Sequence, residues 1–225
     1  MTNNILFFGD SFTSAENNNY NGFVEKLNLE NKGYHVVNYG VSGTTLAPYS
    51  LYPVGPNDLL ALIREHEEEI KNASVIFIEY GINDFASYIT SHVRLYDIEL
   101  AFTNCIDYLR QLNTECKIIY LVPSHNPKVI ESIAESQVDY LEHDYLKLWR
   151  RVYSKEKFVF SFLDFIHCIE SCEEIKVLDM ITDEEFMNKY ICNDHIHPTD
   201  YGYQIIADTI LRQLIKGETH ERVSI

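Results

Sequence analysis

The sequence predicts an α/β fold in which helices cover both faces of a parallel sheet. Short apolar runs typical of buried strands alternate with longer segments whose apolar residues recur at helical spacing. Strands that alternate with helices pair in parallel, because each helical crossover returns the chain to the same end of the sheet. The length of 225 residues suits one such domain with a proper core.

Four short apolar runs predict the first four strands, at residues 5–8, 35–38, 75–80 and 117–122. The segment from 158 to 180 is harder to assign. Phe158, Phe162 and Phe165 fit helical spacing, whereas apolar and polar residues alternate over 175–179. We predict a helix followed by the fifth strand in this segment.

Helices are predicted where apolar side chains recur every three or four residues. The predicted helices cover residues 22–31, 59–71, 95–112, 138–153 and 201–215. No internal repeat, low-complexity tract or linker interrupts the pattern. We therefore expect a single domain over residues 1–225, with a polar tail after about residue 216.

The charge balance argues against two classes of partner. The chain has 34 Asp and Glu residues against 18 Lys and Arg, a formal net charge of −16. Nucleic-acid binding depends on clustered Lys and Arg, and anionic membranes attract basic segments, so we expect neither partner. A neutral small molecule approaches such a surface more easily than an anion.

Targeting and redox signals predict a cytoplasmic protein. No apolar run approaches the ~18 residues of a membrane span, and no basic region followed by an apolar stretch opens the chain. The five cysteines form no C-x-x-C pair. An odd number of cysteines without a secretory signal favours free thiols in a reducing compartment.

The end of the first predicted strand carries the most chemical information. Gly9 ends the apolar run, and glycine best tolerates a sharp backbone turn. Asp10 and Ser11 therefore follow at the carboxyl end of the strand, the edge where open α/β sheets bind ligands. A serine in this position is a nucleophile if a base and an oxyanion site reach it.

Three later segments complete a pattern. Asn38-Tyr39-Gly40-Val41-Ser42-Gly43 continues from the second strand, and Gly81-Ile82-Asn83-Asp84 follows the third. Asp194-His195-Ile196-His197-Pro198 lies near the C-terminus. In this order, and together with Gly9-Asp10-Ser11, they resemble the SGNH (GDSL-type) hydrolase family from about Ile5 to Ala207.

The resemblance implies a flavodoxin-like, three-layer α/β/α sandwich with a central five-stranded parallel sheet. It also implies a serine esterase that cleaves carboxylic esters through an acyl-serine intermediate, with no metal or organic cofactor. The family's serine, glycine, asparagine and histidine correspond to Ser11, Gly40, Asn83 and His197. The matching acid is Asp194.

The chemistry of these residue types agrees with those roles. His197 can accept and return a proton near neutral pH, because the unperturbed pKa of histidine is ~6.5. Asp194, three residues earlier, is placed to hold the other ring nitrogen. Backbone N–H groups of Ser11 and Gly40 and the Asn83 amide are candidate donors to an oxyanion.

Other residues offer weaker alternatives for these roles. His195 lies two residues from His197 and does not fall three residues after the aspartate, so we prefer His197 as the base. Glu79 and Asp179 are more remote candidates for orienting the histidine. Ser42 suggests the Gly-x-Ser-x-Gly elbow of α/β hydrolases, but a threonine occupies the fifth position.

A loop at residues 47–56 is a candidate wall of a substrate pocket. Three prolines stiffen it, and Tyr49 and Tyr52 offer flat, amphipathic faces. A rigid surface connection is an equally good interpretation. The candidate substrate-binding residues are Asp10, Tyr49, Tyr52 and Phe85. We expect a small-molecule ester substrate, with carbohydrate O-acetyl esters favoured over short-chain esters or thioesters.

Four alternative functions share parts of this pattern. An acyltransferase would pass the acyl group to a hydroxyl rather than to water, and an acyl-thioesterase or lysophospholipase would use the same site. A metal-dependent phosphoesterase would use the Asp and His clusters as ligands, but the chain lacks the Gly-Asn-His run typical of that class. A catalytically inert binding protein is the fourth alternative.

Overall fold

The computed structural model describes residues 4–48, 58–89, 93–123, 159–163, 188–194 and 196–218. Five strands form one parallel sheet in the order β2-β1-β3-β4-β5. The strands are β1 (Asn4–Gly9), β2 (His35–Gly40), β3 (Val75–Glu79), β4 (Lys117–Pro123) and β5 (Val159–Leu163). This order is that of flavodoxin-like sheets, which confirms the predicted fold class.

The first four strands lie where the sequence predicts them, within two residues at each end, but the fifth does not. Val159–Leu163 is a strand paired with β4, with Ile119 opposite Val159 and Pro123 opposite Leu163. The prediction of a helix there is wrong. A short apolar run fits the spacing of a helix and that of a buried strand, and pairing with a strand distant in the sequence decides between them. The strand predicted at 175–179 lies outside the described residues.

Seven helices cover the described part of the chain. They are α1 (Ser11–Ser14), α2 (Phe23–Lys26), α3 (Leu59–Glu65), α4 (Glu67–Lys71), α5 (Ile82–Ile89), α6 (Leu95–Leu112) and α7 (Asp200–Glu218), with 3₁₀ turns at Glu16–Asn18 and Glu30–Lys32. The predicted helix at 95–112 is confirmed, and the one at 201–215 corresponds to α7. The helix predicted at 138–153 lies outside the described residues.

Two predicted helices are interrupted for local backbone reasons. The segment 22–31 is α2 followed by a 3₁₀ turn, with Asn28 between them in the left-handed region at φ 53°. The segment 59–71 divides into α3 and α4 at His66, whose φ of −121° and ψ of 29° leave helical geometry. Periodicity alone does not show such breaks, because the apolar side chains on both sides still face the same core.

A hydrophobic core lies on each face of the sheet, as a three-layer sandwich requires. Alternate side chains of β1 point to opposite faces. Leu6 and Phe8 join the core formed with α3, α4 and α6, whereas Ile5 and Phe7 join the core formed with α2 and α7. The Phe7 and Phe77 rings stack with centroids 4.5 Å apart, which links neighbouring strands on the second face.

The carboxyl ends of the three neighbouring strands lie side by side. Gly9 at the end of β1 is opposite Gly40 of β2 on one side and Glu79 of β3 on the other. The segments that follow these strands therefore start from one edge of the sheet. None of the helices in the described ranges combines the length and apolar character needed to cross a bilayer.

Candidate active site

Ser11 is the first residue of α1, directly after the carboxyl end of β1. Asp10 caps the helix, because its Oδ1 accepts a hydrogen bond from the backbone N–H of Phe12 at 3.0 Å. The helix continues through bonds of 3.0 Å from the Ser14 N–H to the Asp10 carbonyl and from the Ala15 N–H to the Ser11 carbonyl. Since Asp10 supplies the cap, the half-buried Ser11 hydroxyl is not needed to start this helix.

Asn83 lies in the first turn of α5, which follows β3. Its side-chain Nδ2 donates to the carbonyl of Thr44 at 2.9 Å and approaches Asp10 Oδ2 at 3.4 Å. The amide therefore lies between the segment after β2 and the residue before Ser11. This helix was not predicted from the sequence, where Asn83 and Asp84 fit a simple turn equally well.

Asp84, the next residue, fastens the segment after β2 to α5. Its carboxylate accepts the backbone N–H of Leu46 at 2.9 Å and that of Ala47 at 3.0 Å. Burial raises the pKa of Asp84 to about 6, although these backbone hydrogen bonds act in the opposite direction. Asp84 thus has a structural partner set and is not available to orient a histidine.

His197 and Asp194 form a hydrogen-bonded pair in the loop before α7. His197 Nδ1 lies 2.7 Å from Asp194 Oδ2, and Asp194 Oδ1 accepts the backbone N–H groups of Ile196 and His197 at 2.9 and 3.0 Å. Partial burial opposes ionisation of Asp194, but these hydrogen bonds outweigh it and lower its pKa. The carboxylate thus holds the ring through Nδ1, and this contact does not occupy Nε2.

The histidine loop is fastened to the segment that follows α1. Asn17 Nδ2 donates to the carbonyl of Pro198 at 3.0 Å, and Asn17 Oδ1 accepts the Tyr203 hydroxyl at 2.8 Å. Lys26 forms an ion pair with Asp200 at 2.7 Å. These contacts join residues that are more than 170 positions apart in the sequence.

The serine and histidine segments meet at Phe12. The rings of Phe12 and His197 have centroids 6.0 Å apart, which places the imidazole beside the residue that follows Ser11. Among the residues that the structure describes, no hydrogen bond joins the Ser11 hydroxyl to the His197 ring. Such bonds are often long in sites without substrate and tighten in the substrate complex.

The site thus brings together a serine, an asparagine and a histidine–aspartate pair at one edge of the sheet. The family model described as the GDSL-like lipase/acylhydrolase family matches residues 7–205. The chain belongs to this family. It is accordingly a carboxylic ester hydrolase.

Solved structures share the fold of this GDSL hydrolase at low sequence identity. A GDSL-family lipolytic protein from Veillonella parvula is 17% identical, with a TM-score of 0.61, and the match covers 93% of this chain and 96% of that one. A lipase from a goat rumen metagenome is 17% identical, with a TM-score of 0.62 and coverage of 94% and 97%.

A third structure is a catalytic mutant of an acetylxylan esterase from Geobacillus stearothermophilus. It is 18% identical, with a TM-score of 0.61 and coverage of 95% of both chains. At these identities the likeness shows the fold alone. Comparison with curated proteins finds no match.

In this GDSL hydrolase, Gly40 does not have the oxyanion role that the sequence predicts for it. Its backbone N–H donates to Asn38 Oδ1 at 2.9 Å, so this N–H is not directed at a substrate. Its Cα packs against the backbone of α1, where an added Cβ would lie 2.4 Å from the Ser14 nitrogen. The oxyanion role predicted for Gly40 is therefore wrong, and its role is to let β2 approach α1.

The next turn contains a second glycine of the same motif, Gly43, for which the sequence predicted no role. Gly43 has a φ of 79°, in the left-handed region that glycine tolerates best. It is half-buried and precedes Thr44, whose carbonyl accepts the Asn83 amide. The run Val41-Ser42-Gly43-Thr44 is the signal that could have pointed to this turn, because a glycine between small polar residues is typical of one.

We expect Gly40→Ala to destabilise the fold. The added methyl group meets backbone atoms of Thr13 and Ser14 at 2.4 to 2.9 Å, and backbone cannot move aside as a flexible side chain can. Overpacking of this kind costs about 1–3 kcal/mol of unfolding free energy. Urea denaturation followed by circular dichroism measures the change.

Gly33→Ala is the matched control for this variant. A Cβ there meets nothing within 4 Å, and only its φ of 88° is unfavourable for alanine. We expect a smaller loss of about 1 kcal/mol from the left-handed conformation. Equal stability of Gly40→Ala and the unmodified protein would show that α1 and β2 can separate at no cost.

The substrate-binding residues proposed from the sequence fall into two groups. Asp10 and Phe85 are buried: Asp10 caps α1, and Phe85 packs in the core with α3 and α6. Tyr49, Tyr52 and the alternative base His195 lie outside the described residues. Within the described ranges, no group of three or more His, Cys, Asp or Glu side chains is arranged to hold a metal ion.

Proposed function

We propose that this GDSL hydrolase cleaves small carboxylic esters through an acyl-serine intermediate on Ser11. The observation that carries the proposal is the His197–Asp194 pair, held beside α1 by the contact between the His197 and Phe12 rings. A histidine whose Nδ1 is held by a carboxylate is prepared to act as a base through Nε2. Ser11 directly precedes Phe12, and its hydroxyl is half-buried, whereas that of Thr13 on the other side of Phe12 is buried.

The proposed reaction has two halves. Ser11 Oγ attacks the ester carbonyl carbon while His197 Nε2 takes the hydroxyl proton. The tetrahedral intermediate collapses, the alcohol leaves with the proton from His197, and the acyl group remains on Ser11. Water then attacks the acyl-serine with His197 again as the base, and the carboxylic acid leaves. Asp194 stabilises the imidazolium in both halves.

Backbone and side-chain donors near Ser11 are proposed to hold the developing oxyanion. The Ser11 N–H is at the start of α1, where backbone N–H groups have no partner inside the helix. The Asn83 amide lies next to Asp10 and carries a second N–H besides the one given to Thr44. Gly43 replaces Gly40 as the candidate for a third donor, because it borders the Thr44 contact of Asn83.

The proposed substrate class is an O-acetylated carbohydrate. The net charge of −16 favours a neutral substrate over an anionic one. Two structures with the same fold are mutants of one acetylxylan esterase, which supports an acetyl group on a sugar. Another is a lipase, so long acyl chains belong in the same test.

We expect the purified protein to prefer short acyl groups when kcat/KM is measured on p-nitrophenyl acetate, butyrate and laurate. Acetylated xylooligosaccharides are assayed in parallel by the release of acetate. Highest kcat/KM on the acetyl esters, with acetate released from the sugars, supports the proposal. Highest kcat/KM on laurate would contradict the substrate class and favour a lipase or lysophospholipase.

Product analysis separates hydrolysis from transfer in the same experiment. A labelled acetyl donor is offered together with free xylooligosaccharides, and labelled acetate is compared with labelled sugar ester. We expect acetate to predominate. Ser11→Ala protein from a parallel preparation serves as the control for background hydrolysis and contaminating esterases. Predominant sugar ester would show an acyltransferase.

A further inference from the structure

Two buried carboxyl groups, Asp10 and Glu79, lie near the start of α1. Asp10 and Glu79 are 0% and 1% exposed, and they lie at neighbouring strand ends, because Asp10 follows Gly9 and Gly9 is opposite Glu79 in the sheet. Glu79 Oε2 accepts the Thr13 hydroxyl at 2.9 Å. Glu79 Oε1 has no hydrogen-bond partner among the described residues, which is unusual for a fully buried oxygen.

No compensating cation pairs with these carboxyl groups in the described ranges. Within the described part of the chain, no lysine or arginine forms an ion pair with either carboxyl. The other titratable groups that face the pair are Asp84 from α5, Tyr80 after β3 and Tyr203 from α7. None of these is a cation, so two ionised carboxylates would stand side by side in a low-dielectric site.

A single shared proton resolves both observations. It provides a donor for the unpartnered Glu79 oxygen, and it reduces the charge of the carboxyl pair from two to one. Burial, followed by repulsion from Glu79, raises the pKa of Asp10. Burial also raises the pKa of Glu79, to about 7, against hydrogen bonds from Thr13 and Asp10 that lower it. The carboxyl pair therefore holds its last proton to a higher pH than ordinary carboxyl groups do.

The carboxyl pair reaches the candidate oxyanion site through Asn83. One hydrogen of the Asn83 amide goes to the Thr44 carbonyl at 2.9 Å, and Nδ2 lies 3.4 Å from Asp10 Oδ2, which is long for a hydrogen bond. A doubly charged pair attracts this second hydrogen more strongly. It also places more negative charge beneath the developing oxyanion.

We propose that Asp10 and Glu79 share one proton, and that this proton keeps the second hydrogen of the Asn83 amide available to the oxyanion. Glu79 is then a positioning residue that acts through Asp10 and Asn83, without touching the substrate. The inference rests on the proposed function, since it concerns the same site. Its consequence is that ester hydrolysis slows when the carboxyl pair loses its proton.

Glu79→Gln tests the inference through the pH profile of kcat/KM on p-nitrophenyl acetate. In the unmodified protein, kcat/KM falls by about tenfold at alkaline pH, once the carboxyl pair is doubly ionised. Glutamine keeps a donor at position 79 at every pH. We expect the alkaline fall to disappear in this variant. An alkaline fall of the same size and midpoint in Glu79→Gln would overturn the inference.

Thr13→Val is a second variant that does not depend on how glutamine fits. It removes the hydroxyl that stabilises ionised Glu79 and keeps nearly the same shape. The pKa of Glu79 therefore rises, and the alkaline fall moves to higher pH. Glu68→Gln is the control, because it makes the same charge change at an exposed position on α4 and leaves the profile unchanged. A shift to lower pH in Thr13→Val would contradict the shared proton.

The pH dependence of unfolding distinguishes failure of this inference from failure of the proposed function. Because the pKa of Glu79 is higher in the folded than in the unfolded protein, its contribution to stability is lost as the pH rises from about 4.5 to about 7. The urea midpoint of Glu79→Gln, relative to that of the unmodified protein, should thus increase as the pH rises over this range. A constant difference refutes the shared proton, whether or not Ser11 is the nucleophile.

Discussion

Replacing Ser11 with alanine is expected to abolish turnover of p-nitrophenyl acetate and leave the fold intact. Loss of a serine nucleophile in other serine hydrolases lowers kcat by as much as about 10⁶-fold. Stability should change little, because Asp10 caps α1 and only the backbone carbonyl of Ser11 takes part in the helix. Initial rates and a urea denaturation curve on the same preparation measure both effects.

Ser14→Ala is the matched control for that experiment. Ser14 lies in the same short helix, and its hydroxyl contacts Ser42 Oγ at 3.0 Å on the side of β2. Its loss should leave kcat within a fewfold of the unmodified protein. A fluorophosphonate probe adds an independent measurement, since it should label the unmodified protein and Ser14→Ala but not Ser11→Ala. Turnover retained in Ser11→Ala would remove the proposed mechanism.

His197→Ala is expected to reduce kcat nearly as much as the loss of Ser11. Without the imidazole, no group in the proposed site takes the Ser11 proton at neutral pH, and the oxyanion donors and substrate binding leave only a residual rate. The loss of kcat in Asp194→Ala should be about 10–100 times smaller than in His197→Ala, because the ring stays in place and other groups can partly orient it. Steady-state kinetics on p-nitrophenyl acetate compare the two variants.

His195→Ala is the decisive comparison for the choice of base. It makes the same change two residues away in the same loop. His197 shares two hydrogen bonds with Asp194, one through its backbone N–H and one through its ring Nδ1. We therefore expect His195→Ala to keep most of the activity. A larger loss in His195→Ala than in His197→Ala would transfer the role of the base to His195.

The pH dependence of stability follows from the buried carboxyl groups. Asp10, Glu79 and Asp84 all have a raised pKa because of burial, so the folded state holds their protons more tightly than the unfolded chain. The contribution to stability is present at acidic pH and is lost as the pH rises towards about 6 for Asp84 and about 7 for Glu79. For Glu79 alone, the linkage amounts to about 3 kcal/mol.

Local sequence patterns were enough to predict the alternating elements. The helix Leu95–Leu112 is predicted at both ends, because its apolar side chains keep one face over the whole length and the core it faces is unbroken. The strands β1 to β4 are also predicted within two residues at each end, because each of them coincides with a short apolar run. In the same way, short motifs were enough to single out Ser11, Asn83 and His197.

Tertiary contacts decided what those patterns left open. Val159–Leu163 is a strand because it pairs with β4, and its own apolar residues suit a helix equally well. Gly40 packs against the backbone of α1 at Thr13 and Ser14, a contact with a segment that is distant in the sequence. Neither outcome can be seen in a local pattern, because each depends on a contact with a segment that is distant in the sequence.

By itself, the order of residues determined the family, the class of fold and the residue types needed for ester hydrolysis. Only the folded chain decided which of them meet: Asn17 holds the histidine loop to the segment after Ser11, and Asp10 and Glu79 come together from neighbouring strands. The physical reason is that hydrogen bonds and charge repulsion act over a few ångströms in space. Residues far apart in the sequence therefore interact only after the sheet has brought them to one edge.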